Sequence, residues 1–131
     1  MKKTKIKGES GFTLLELVAV MVIIGILAAV ATPRYMRLLE ETRIKKAEGL
    51  ISAAQSQLSI AYAQEMLKTG DKFETWAWLA GNAQDICNNV NTNNYDNYNI
   101  VCNSNGDSVI TIAVTTPDME TVTGNFTNPN L

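Results

Sequence analysis

Phe12 to Thr32 reads FTLLELVAVMVIIGILAAVAT, and this stretch decides the architecture. About 21 residues rising 1.5 Å each make a helix of roughly 31 Å, the hydrocarbon thickness of a bilayer. Four lysines, Lys2, Lys3, Lys5 and Lys7, stand in front of it. A basic flank of this kind stays on the cytoplasmic side and orients the segment N-inside, C-outside. Arg34 and Arg37 follow on the far side and work against that orientation.

One side chain breaks the apolar run. A carboxylate in a spanning helix costs on the order of 2.5–3.5 kcal/mol at mid-bilayer and less near an end. Glu16 lies near the cytoplasmic end, so insertion survives it. Two readings stand side by side: a tolerated interfacial acid, or a charge kept for an intermolecular pair. An ordinary secretory signal peptide shares the basic start, the apolar run and a small-residue triplet, here Ala29-Val30-Ala31. Against it stand the length of the run, the acid inside it, and its continuation into an amphipathic pattern with no loop between.

That pattern resumes after Pro33. Ile44, Ala47, Ile51, Ala54, Leu58 and Ala61 recur at three- and four-residue steps and form one apolar stripe. Glu41 and Lys45 are placed for a helical ion pair. Gly70 is a natural terminator. A helix from Phe12 to Lys68 would hold about 57 residues and run roughly 85 Å. A small domain cannot cover so long a helix, so its N-terminal half needs lipid or other helices.

Gly11-Phe12-Thr13-Leu14-Leu15-Glu16, behind a lysine-rich leader and followed by Gly25 and Pro33, resembles the processing signature of type IV prepilins and pseudopilins. The resemblance covers about the first third of the chain; no motif beyond it matches. It implies an α+β pilin fold, with a long N-terminal helix packed on a small antiparallel sheet. It also implies a leader at 1–11, a transmembrane assembly helix at 12–32, an extension at 33–69 and a globular head at 70–131. A prepilin peptidase would cut between Gly11 and Phe12, and the new Phe12 amine would be N-methylated. Glu16 would pair with the Phe12 amine of a neighbouring subunit. The stretch from Gly25 to Pro33 would unwind on assembly, the alternative being an ordinary proline kink. Cutting after Gly11 removes four lysines and Glu9, which leaves 7 basic and 12 acidic residues and a net charge of −5.

In the head, Asp71 to Gly81 carries a short helix signal, with Asp71 and Glu74 at capping-box spacing and Phe73, Trp76 and Trp78 as packing aromatics. Asparagine dominates from Asn88 to Asn99 and favours a loop. Three strands follow: Tyr98, Ile100 and Cys102 alternate on the first, Ile110, Ile112 and Val114 on the second, and Val122 and Phe126 on the third. Turns fall at Asn103 to Asp107 and Thr116 to Glu120. Cys87 and Cys102 would close a disulfide loop like that of many pilins, since the head would lie outside the cytoplasm; two buried free thiols are the alternative.

Charge is nearly balanced, with 11 basic and 13 acidic residues, which argues against nucleic acid as a partner. Histidine is absent, so the commonest general base and neutral metal ligand are missing. Asn103 to Asp107 fails as a calcium loop because Val101 and Ile112 occupy ligand positions. Asn125-Phe126-Thr127 is a glycosylation sequon of low specificity. Phe12, Tyr35 and Tyr62 read as packing aromatics. Neither enzyme, cofactor nor metal site is indicated.

The function implied is a structural pilus subunit serving adhesion, surface motility or DNA uptake. Its partners would be other pilins in a homo-oligomeric filament, the prepilin peptidase, and an inner-membrane assembly platform with its ATPase. It would sit in the inner membrane as a single-pass precursor and then in an extracellular pilus. A pseudopilin of a type II secretion or competence system shares every N-terminal feature. A secreted protein with an ordinary signal peptide is the reading of another class. N-terminal sequencing of the mature protein should find N-methylated phenylalanine at Phe12; a start at Thr32 would instead identify a signal peptide.

Overall fold

The computed structural model describes residues 11–91, 97–106 and 108–131. The element order is α1 (Leu14–Thr69), α2 (Lys72–Asn91), β1 (Asn99–Ser104), β2 (Val109–Thr115) and β3 (Thr121–Thr127). This is an α+β fold: a long N-terminal helix, apolar at its start, and a small three-stranded antiparallel sheet in the order β1-β2-β3. The chain divides into two compact units, Met1–Leu39 and Glu40–Leu131.

In the first unit, the described chain is the opening part of α1. Its large apolar side chains are exposed from Phe12 to Leu38. The helix is long and apolar enough to cross a bilayer.

The second unit contains the core. Ala47, Leu50, Ile51, Ala54 and Leu58 of α1 are buried in one cluster with α2 and the sheet. Leu50 joins the expected stripe, whereas Ile44 is only half-buried. Gly70 ends α1 with φ of 68°, its N–H bonded to the Met66 carbonyl at 3.0 Å. Only glycine takes that backbone without cost. Asp71 caps α2, its Oδ1 accepting from the Phe73 and Glu74 amides at 2.7 and 3.1 Å.

α2 corrects the sequence reading. It does not stop near Gly81 but runs 20 residues to Asn91. Trp76, Leu79, Ala83, Cys87 and Val90 lie on one helical face, and all are buried. Gly81 costs a helix about 1 kcal/mol, and burial of this stripe outweighs it. Asn88 to Asn91 are therefore helical rather than loop; residues 92–96 of the expected loop lie outside the described residues, and Asn99 opens β1. Of the three aromatics, Trp76 is buried and stacks on Phe126 at 6.4 Å, while Phe73 is 87% exposed. Lys45 does not bond Glu41; it reaches Glu48 at 2.8 Å, and that carboxylate holds its ammonium above the usual range.

The sheet alternates as its pattern requires. Ile100, Cys102, Ile110, Ile112 and Val114 face the core, with Val122 and Phe126 half-buried beside them. Residues Ile100↔Val114↔Val122 and Cys102↔Ile112↔Gly124 stand in register across the strands. The β2–β3 turn falls at Thr116 to Glu120 as expected, with Met119 at φ of 64° and Asp118 ion-paired to Arg43. The first turn is shorter than expected, since β1 continues through Ser104; Asp107 lies outside the described residues.

Two glutamines of the helices serve the sheet. Gln84 Oε1 accepts from the Cys102 amide at 2.8 Å, and its Nε2 donates to the Ile100 carbonyl at 3.3 Å. The side-chain amide thus acts as a one-residue strand along the outer edge of β1. Gln55 Nε2 donates to the Asn125 carbonyl of β3 at 3.0 Å. A disulfide joins Cys87 of α2 to Cys102 of β1 across 15 residues of sequence. Such a loop contributes roughly 3 kcal/mol in the chain-entropy picture.

Gly124 marks the tightest approach of sheet and helix. A Cβ there would lie 2.3 Å from Cγ2 of Ile51. Gly124→Ala should destabilise the head by about 1–3 kcal/mol, read from Trp76 fluorescence during denaturation of the full chain in detergent. The same change on an Ile51→Ala background should cost clearly less; equal costs would disprove the contact.

Candidate functional site

The chain enters α1 through Gly11, Phe12 and Thr13, none of them helical. Phe12 is 90% exposed, so the Gly11–Phe12 bond lies in open, non-helical backbone. Peptidases require backbone of that kind, because a helical peptide bond is already hydrogen-bonded and closed. Lys2, Lys3, Lys5 and Lys7 lie outside the described residues.

Thr13 caps the helix. Its Oγ1 accepts from the Glu16 amide at 3.2 Å, and Glu16 Oε2 accepts from the Thr13 amide at 2.9 Å. The Thr13 hydroxyl also lies 3.1 Å from the same oxygen. This is a capping box, with each residue satisfying the other's exposed amide. Thr-x-x-Glu is the sequence signal for it. The box uses only Oε2. Oε1 takes no hydrogen bond among the described residues.

Phe12, Glu16, Leu17, Val20, Met21 and Ile24 line a shallow recess of about 340 Å³ along one helical face. Every lining group except the carboxylate is apolar. The face therefore offers packing along its length and one fixed charge at its start. The apolar window it belongs to is exposed among the described residues.

Gly25 and Pro33 both lie inside continuous α-helix. Among the described residues, no atom beyond the helix's own neighbouring backbone comes within 4 Å of a Cβ built on Gly25, so packing among them does not demand glycine there. Pro33 withholds the amide that Ala29 O would accept. One residue earlier, the Thr32 hydroxyl donates to the Ala28 carbonyl at 2.8 Å, a contact that tends to bend helices. The structure thus brings Phe12 and Glu16 to one face, holds Gly25 and Pro33 in the same helix, and places Cys87 and Cys102 apart from them in the second unit.

Residues 6–32 match the family described as the prokaryotic N-terminal methylation motif. A fimbrial protein of Pseudomonas aeruginosa is 44% identical over 50 residues, covering 38% of this chain and 32% of that protein. The type IV narrow pilus major component PilA5 of Thermus thermophilus is 43% identical over 54 residues, 41% of this chain and 47% of the relative. The type II secretion system core protein G of Pseudomonas aeruginosa is 40% identical over 52 residues, 40% and 37% of the two chains. These relatives are structural proteins by name. The matched stretch spans between 32% and 47% of their own length, about a third to a half. No solved structure matches the chain.

Thr13→Val removes the capping hydroxyl and should fray the first turn of α1. A cap of about 1 kcal/mol predicts roughly fivefold faster hydrogen exchange at the Glu16 amide. Unchanged exchange in the full chain in detergent would show that the box does not form.

Proposed function

We propose that this chain, whose N-terminal third is that of the type IV pilin and pseudopilin family, is a structural subunit of a type IV pilus. The observation that carries this reading is an uncovered, bilayer-length apolar helix with one acid near its start, entered through Gly11-Phe12. The relatives named as pilus and fimbrial proteins support it.

The precursor is a single-pass protein of the inner membrane, with its leader at 1–11 inside and its head outside. A prepilin peptidase cuts after Gly11, and Phe12 is N-methylated. Assembly then exchanges lipid for neighbouring helices along the segment 12–32. In that apolar surround Glu16 and the Phe12 amine of the next subunit are each costly alone and tolerable as a pair. The free Oε1 of Glu16 is the acceptor, while Oε2 keeps its capping role. The stretch from Gly25 to Pro33 opens in the filament, because proline has already removed one rung of its hydrogen bonding. An inner-membrane platform and its ATPase supply the work of extraction. The finished filament lies on the cell surface and serves adhesion, motility or DNA uptake.

The match to a type II secretion core protein favours one second reading: a pseudopilin building a short periplasmic filament from the same N-terminal machinery.

Glu16→Leu should insert into the membrane normally, resist alkaline extraction, and yield at least tenfold less filament. Normal filament yield would refute the pairing. Electron microscopy of the parent cells separates the two readings, since long surface fibres identify the pilin and their absence beside intact secretion the pseudopilin.

A further inference from the structure

Arg34 and Arg37 are the only cations of the first unit among the described residues, and they follow the apolar run directly. Both are exposed, and neither has a hydrogen bond or ion pair among those residues. Three positions apart on a helix, their side chains are neighbours on one face. With Val30 and Pro33 they line a recess of about 270 Å³. Its floor is apolar and its rim cationic. Tyr35, 61% exposed, stands at the same level, where aromatic side chains favour the lipid headgroup region.

These two arginines stand on the side of the membrane where positive charge is disfavoured. A local anion resolves that conflict. We infer that Arg34 and Arg37 together bind the phosphate of an anionic phospholipid in the outer leaflet, whose acyl chains run beside Val30. The guanidinium fork suits a phosphate and binds it through paired N–H donors. A single headgroup between two guanidiniums fixes the depth of the helix, and a subunit leaving the bilayer must release it. Glu40 and Glu41, which follow in the sequence, are the intrachain rivals for these cations. The inference rests on the reading that 12–32 spans the membrane.

The test uses the full chain in phosphatidylcholine vesicles carrying spin-labelled phosphatidylglycerol. Lys2, Lys3, Lys5 and Lys7 are changed to Gln so that the leader contributes nothing. The motionally restricted fraction of label gives the preference for phosphatidylglycerol over phosphatidylcholine. Replacing Arg34→Gln or Arg37→Gln should each lower that preference about fivefold at low salt, with Trp76 fluorescence unchanged. Millimolar inorganic phosphate should leave it intact. A preference that survives the double replacement overturns the inference, as does its abolition by inorganic phosphate, which would identify a free-anion site. A preference lost only as protein concentration rises points to acidic groups of a second copy and overturns it too. A chain that fails to resist alkaline extraction refutes the spanning segment itself, and with it this site.

Discussion

Apolar side chains left uncovered among the described residues set the terms for this protein. From Phe12 to Leu38 the helix exposes leucine, isoleucine, valine and methionine on every side. At about 25 cal/mol per Å² of apolar surface, such a segment is not stable in water. It must lie in lipid or among helices like itself. Glu16 sharpens the requirement, since a charge in that setting needs donors, and the capping box occupies only one of its two carboxylate oxygens. The same exposed surface suits either surround, lipid or neighbouring helices.

The second unit solves a different problem. A three-stranded sheet has one apolar face and too little area to hold itself together. Its stability is borrowed from α1 and α2, which bring Leu50, Leu58, Leu79 and Trp76 into one cluster with Ile110, Ile112 and Val114. The disulfide and Gln84 then fasten α2 to β1 at adjacent positions. Gly124 lets β3 approach Ile51 more closely than any larger residue would allow.

Where periodicity was strong, the sequence was legible. The long helix, its end at Gly70, the three strands and their inward residues follow from spacing alone. The helix α2 was half-read, because Gly81 and the asparagines after it argue locally for a break, while Ala83, Cys87 and Val90 argue over a longer range for continuation. Burial is a property of the folded chain and decided the matter. Gln84 was invisible, since nothing in a sequence says that a surface glutamine will face a strand edge. The Thr13–Glu16 box is legible by its spacing. Gly25 is the opposite case: its place in the motif is plain, yet no contact within one chain explains it.

The glutamine lying along β1 has a consequence for crowding. Subunits of a polymer hold their heads at very high local concentration, where open strand edges pair with one another and grow into cross-β aggregates. Gln84 takes up a donor and an acceptor of β1 that a foreign strand would seek, and Gln55 takes an acceptor on β3. A head protected in this way resists strand-to-strand pairing with its neighbours when it is crowded.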